Sequence, residues 1–138
     1  MKAVVALCAC ASAIFTAGCG GVRAADLFIV YRSGSTAHAR LTLLVNEEGG
    51  VSCNGHQANV KLSDPEIIKA REIQEELEKP SSSHLSLPAR AGSVLDYFVR
   101  DEKGSVRFAD NSAGQPAAFH KLQLLVVQAS QEICRLPE

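Results

Sequence analysis

Leu62-Ser63-Asp64-Pro65-Glu66-Ile67 is the segment on which the fold turns. Ser63 and Glu66 stand at the S-x-x-E spacing of a capping box, which satisfies backbone N–H groups that a first helical turn leaves without partners. Pro65 lies inside that turn, where its missing N–H costs little and its fixed φ already suits a helix. Leu62 and Ile67 occupy the two positions of a hydrophobic staple. Downstream, Ile67, Ala70, Ile73 and Leu77 share one stripe, while Glu72, Glu75, Glu76, Glu78 and Lys79 lie mostly off it. The pattern predicts an amphipathic helix that begins after Ser63 and ends at Pro80, followed by Ser81-Ser82-Ser83 as a flexible connector. A helix planted between two groups of strands makes the chain α+β rather than all-β.

On the N-terminal side, Leu27-Phe28-Ile29-Val30-Tyr31 is a continuous apolar, β-branched and aromatic run, as expected of a central strand. Arg32-Ser33-Gly34-Ser35-Thr36 breaks it with loop chemistry. Leu41–Val45 is a second strand, Glu47-Glu48-Gly49-Gly50 a turn, and Val51–Cys53 a short third strand closing at Asn54-Gly55, so the three read as an antiparallel meander. On the C-terminal side, Val94–Val99 and Ser105–Phe108 form a hairpin across Asp101-Glu102-Lys103-Gly104. Pro116 opens a second helix, on which Phe119, Leu122, Val126, Ala129 and Ile133 recur at helical spacing. The expected order is β-β-β-α-β-β-α: one antiparallel sheet of about five strands with both helices on one face. Residues 26–138 would form this single α+β domain.

Residues 1–25 carry a different kind of signal. Lys2 supplies a basic start, and Ala3–Phe15 is a small and apolar run broken only by Ser12. It is too short for a bilayer of ~30 Å but has the length of a secretory h-region. Thr16-Ala17-Gly18-Cys19 then resembles the lipobox of bacterial lipoproteins, in which small residues precede a cysteine that receives lipid and becomes the mature N-terminus. Thr16 stands where that pattern more often has Leu. The resemblance implies a signal peptide over residues 1–18, lipidation of Cys19, and a tether over 19–25. It also implies anchoring on the extracytoplasmic side of a bacterial cell membrane, with two or three acyl chains meeting the requirement for stable attachment. The alternative is plain secretion, with cleavage near Ala24 or Ala25.

Five cysteines are present. Cys8 and Cys10 leave with the signal and Cys19 is assigned to lipid, so Cys53 and Cys134 remain, in a compartment where disulfides persist. Their bridge would tie the last helix to the first meander and stabilise the domain by roughly 4–5 kcal/mol in the chain-entropy model. The competing reading is a reactive thiol, because His56 lies three residues from Cys53.

Composition removes several functions. The formal charge of −1 argues against a nucleic-acid binder, which would normally show a basic face, and 5% aromatic residues without Trp give little material for base stacking. His38, His56, His84 and His120 form no helical metal-binding pair, so no metal or other cofactor is expected. No Gly-rich loop has phosphate-cradling spacing, and Ser33 and Ser35 lack a G-x-S-x-G elbow. Asp96 and Asp101 read as decoration of a hairpin edge, and Asp110-Asn111-Ser112 as an Asx-type turn.

One segment keeps a functional reading. Tyr31, Arg32, Ser33, Ser35 and His38 place an aromatic, a cation and polar groups on a loop at the end of a core strand, where binding residues tend to sit. Together with the element order, Phe28–Gly34 is faintly similar to emfourin-like protease inhibitors, which carry an early Arg-Ser-Gly-Gly; here Ser35 replaces the second Gly. That similarity implies inhibition of an extracellular protease. The broader expectation is a non-enzymatic binding or interaction module with an extracellular protein partner. A small hydrolase assembled from Ser, His and Asp by folding is the third reading, and it requires one histidine within reach of both a carboxylate and a serine.

Overall fold

The computed structural model describes residues 25–136. The expected signal peptide, the lipidation site at Cys19 and all but the last residue of the tether lie outside them. Eight elements follow in order: β1 (Asp26–Gly34), β2 (Leu41–Asn46), β3 (Val51–Cys53), β4 (His56–Gln57), α1 (Asp64–Ser82), β5 (Leu95–Arg100), β6 (Ser105–Ala109) and α2 (Ala117–Glu132). The six strands form one antiparallel sheet in the order β4-β3-β2-β1-β5-β6. The α+β class and the element order are as expected, with one strand more. The sixth is β4, two residues that fold back on β3 beyond the Asn54-Gly55 turn; a run that short leaves no period in the sequence.

The apolar run at Leu27–Tyr31 takes the middle of the sheet, with Val30 paired to Leu43 of β2 and to Val99 of β5. Side chains alternate across the pleat, so one register decides two faces. Phe28, Val30, Leu41, Leu43, Val45, Tyr97, Val99, Val106 and Phe108 are buried on one face, together with Ala70, Ile73 and Leu77 of α1 and Phe119, Leu122, Val126 and Ala129 of α2. Phe108 stacks on Tyr97 and on Phe119, at ring-centroid distances of 5.1 and 4.2 Å, joining the C-terminal hairpin to α2. The opposite face carries Tyr31, Phe98 and Arg107 in one cross-strand row. There the Arg107 guanidinium lies 4.8 Å from the Phe98 ring centre, and Phe98 stacks on Tyr31 at 5.9 Å.

The start of α1 follows its sequence signals. The Ser63 backbone N–H and hydroxyl both donate to the Glu66 carboxylate, at 2.7 and 2.6 Å, and these hydrogen bonds hold the Glu66 carboxyl below its usual range. Leu62 is buried and Ile67 packs against the core. The Ile67 side chain lies against Gly49, where a Cβ would collide with it and where φ is +76°, so the β2–β3 turn requires glycine there.

The end of α1 corrects the expectation. Pro80 lies within the helix, which continues to Ser82. Proline removes one N–H near the end, and serines then satisfy the terminal carbonyls: the Ser82 hydroxyl donates to Lys79 and the Ser83 hydroxyl to Pro80. Ser81 is no flexible connector either. It is fully buried and donates to the Asp101 carboxylate at 2.6 Å. Asp101 also accepts the Lys103 and Gly104 N–H groups, so it organises the β5–β6 turn rather than an edge. Asp96 is likewise interior to the sheet, because β5 is paired with β1 and β6 on its two sides. The outer side of β6 is covered in turn by residues 85–87, whose Leu85 and Leu87 exchange backbone hydrogen bonds with Arg107.

Candidate functional site

Of the predicted loop Arg32–Thr36, residues 32–34 are strand, continuing the strand expected over Leu27–Tyr31. β1 runs on to Gly34, because β5 offers partners that the sequence of β1 alone does not reveal: Arg32 pairs with Tyr97, Ser33 with Asp96 and Gly34 with Leu95. Gly34 approaches the Val94 carbonyl so closely that no Cβ fits. The strand's alternation therefore separates the candidate residues. Tyr31 and Ser33 are exposed with the open face, whereas Arg32 points to the helix side and is only 9% exposed. Ser35 and His38 lie on the connection to β2, both exposed, with His38 at φ +62°.

Arg32 is held by that connection. Its Nε donates to the Ala39 carbonyl at 2.9 Å and its Nη2 to the His38 carbonyl at 3.2 Å. The turn at His38 thus aims two carbonyls at one guanidinium. Among the described residues no carboxylate forms an ion pair with Arg32. Tyr97, its neighbour across β5, does not supply a counter-charge: burial pushes the phenol's pKa up, against the opposing pull of Arg32, so the ring stays neutral. That only carbonyl dipoles among the described residues meet a cation buried to this degree is unusual, since buried charges are normally paired.

Arg32 lines a cleft of about 200 Å³ together with Thr36, Ala37, His38, Ala39, Leu95, Val127, Ser130, Gln131 and Leu136. Of these, the residues at the end of α2 and beyond it are invisible to a local reading of the sequence. Only Ser130, a polar residue beside the apolar Ala129 on the inner side of α2, hints that this turn faces something other than core; it is buried and its hydroxyl donates to the Val127 carbonyl. The wall is held in place by the bond between Cys53 and Cys134, whose Cα atoms are 5.7 Å apart and whose sequence separation is 81 residues. Because Sγ of Cys53 is engaged there, it is not a free thiolate, although His56 sits opposite it across β3 and β4.

The remaining chemistry is dispersed. All four histidines are exposed. His84 Nδ1 lies 3.4 Å from the Ser105 hydroxyl, but among the described residues no histidine forms an ion pair with a carboxylate. The triad-like geometry that a Ser/His hydrolase requires is therefore not assembled among the described residues. No group of three metal-ligating side chains occurs among them. The Asp110 carboxylate is taken up in structure. Burial raises its pKa, but hydrogen bonds from the Ser93 hydroxyl and from backbone N–H groups, including that of Val94, outweigh this and hold it below its usual range. Asn111 ties the same corner to Arg90, and the Ser112 hydroxyl accepts the Ala109 N–H.

Comparison with protein-family models, with curated proteins and with solved structures finds no match to the chain. The cleft has to be read from its own chemistry.

Proposed function

We propose that the chain is a lipid-anchored extracytoplasmic binding module without catalytic activity, and that the cleft at Arg32 is its binding end. The observation that carries this reading is a buried guanidinium with no counter-charge among the described residues, opening onto a cleft. A fold gains nothing from such a charge by itself, because an apolar residue of similar size is usually no less stable there. A ligand would supply what the fold withholds.

Two features support the proposed setting. The Cys53–Cys134 bond suits an oxidising compartment. β1 also begins at Asp26, next to the proposed tether, and reaches Arg32 six residues later, about 20 Å along at ~3.3 Å per residue. Tether and cleft would thus lie towards opposite ends of one strand, with the cleft directed away from the membrane surface.

Mass spectrometry of the mature N-terminus tests the anchor. The expected product begins at a diacylglyceryl-modified Cys19, and an unmodified chain beginning near Ala25 or Asp26 overturns it. Photo-crosslinking in intact cells tests the binding end. A crosslinker at Thr36 should capture a partner that one at Glu78, on the outer face of α1, does not. Equal capture from both positions would remove the cleft as the binding end.

A further inference from the structure

A guanidinium presents five N–H donors in one plane. Arg32 commits its Nε–H to Ala39 and one Nη2 hydrogen to His38. Its Nη1 has no partner among the described residues, yet it is not sealed from solvent, since no polar side-chain atom among them is both sealed and unpartnered. Nη1 is therefore left to donate a charge-assisted hydrogen bond to an anion.

The surroundings restrict which anion fits. Arg32 is the only permanent cation among the residues that line the cleft, so it matches one negative charge. A phosphate dianion would find no second cation. Ala37, Leu95, Val127 and Leu136 make much of the remaining wall apolar, which suits a short alkyl group attached to the anion. The cleft is open and its volume is about 200 Å³, so only a small group of any ligand enters it.

We propose that the Arg32 cleft binds a carboxylate carried on a small aliphatic group, either a free short-chain acid or the C-terminal residue of a peptide. The proposal rests on the cleft being the binding end of the module and adds the class of ligand. The carboxylate pairs with a guanidinium that has no counter-charge among the described residues, and the alkyl group lies against Val127 and Leu136. Thr36 and Gln131 stand on the rim, positioned to select by hydrogen bonding.

The full mature chain is titrated calorimetrically with pentanoate, pentanamide, the tripeptide Gly-Gly-Val, its C-terminal amide and inorganic phosphate. The Arg32 Nε–Hε resonance reports where binding occurs. Saturable binding of an acid, at least tenfold tighter than its amide and accompanied by a shift of that resonance, is the expected result. Pentanoate or Gly-Gly-Val as the better ligand identifies the source. Arg32→Gln should abolish binding. Thr36→Glu, at an exposed position outside the core, should weaken it at least tenfold with the fold intact. Equal affinity for acid and amide, tighter binding of phosphate, or no binding of either acid overturns the proposal. A cleft that captures a partner in cells but takes neither acid removes the carboxylate and leaves the binding module. Acid binding at Arg32 without any partner capture does the reverse.

Discussion

Two polar side chains are withdrawn from solvent at different ends of this fold, and they are treated differently. Ser81 is sealed at the corner where α1 meets the β5–β6 turn. Its partner Asp101 is engaged by the Lys103 and Gly104 N–H groups as well, and Gly104 lies against the Ser81 carbonyl with no room for a Cβ. That corner is closed, and its polar groups serve the fold. Arg32 is nearly as deep, but among the described residues it has carbonyls in place of a counter-ion, and one terminal nitrogen has no partner there. The difference teaches that burial alone does not distinguish structural from functional polar groups. What distinguishes them is whether the hydrogen-bond and charge accounts close.

The largest effect on this comparison should come from the disulfide. Replacing both cysteines (C53S with C134S) should cost about 2–5 kcal/mol of stability, as removal of a native bridge does in small domains, measured by denaturant unfolding. The loss should be uneven. Leu136, two residues beyond Cys134, lines the cleft and lies far in sequence from the Ser81 corner, so amide exchange should rise first over residues 130–136 and last around Ser81 and Gly104. Uniform exchange would mean that the bridge stabilises both regions alike.

Ser81→Ala should cost about 1.5–3 kcal/mol, the range for a hydrogen bond to a charged group. Arg32→Met removes a far larger side chain, yet it should cost less than about 1 kcal/mol. The carbonyls of His38 and Ala39 can be rehydrated from the cleft, and an uncompensated buried charge disappears with the guanidinium. Denaturant midpoints of the two variants decide the matter. If Arg32→Met proves the more destabilising, the guanidinium is a structural strut like Ser81 and the cleft loses its special status.

The same contrast explains how far the sequence could be read. Capping at Ser63 and Glu66, the stripe of α1 and the stripe of α2 are local signals, and the structure follows them. The central strand was equally legible up to Tyr31. Beyond it, Arg32-Ser33-Gly34 is written in loop residues but is held as strand by β5, some 60 residues later, and nothing local announces that pairing. Tertiary pairing overrides local preference there. The misreading at Ser81 has the same origin, because its partner Asp101 lies 20 residues away. Of the candidate residues, Arg32 and His38 were visible as a cation and a histidine near the end of a strand. The wall contributed by Val127, Ser130 and Leu136 was not, since it depends on where α2 ends against the sheet.

The smallest expected effect concerns pH, and it tests whether closed polar clusters share one signature. Glu66 and Asp110 both have carboxyl groups held below their usual range. For Glu66 the Ser63 hydrogen bonds are the chief cause, and for Asp110 donors led by the Ser93 hydroxyl overcome the opposing effect of burial. A carboxyl whose pKa is lower folded than unfolded contributes stability that is complete above its unfolded value, about 4 for these residue types, and is lost as pH falls towards the folded value. Stability should therefore be flat with respect to these two groups from neutral pH to about 5 and decline below about 4. In Ser93→Ala the acid decline should be shallower, because the donor that lowers the Asp110 pKa is gone, and in Ser63→Ala likewise for Glu66. Arg32→Met should leave the acid slope unchanged, because no carboxylate among the described residues titrates against that guanidinium. Urea midpoints from pH 3 to 7 measure all three. A slope that changes in Arg32→Met would reveal a carboxylate partner for the guanidinium within the chain itself, and the cleft would then be closed in the same sense as the Ser81 corner.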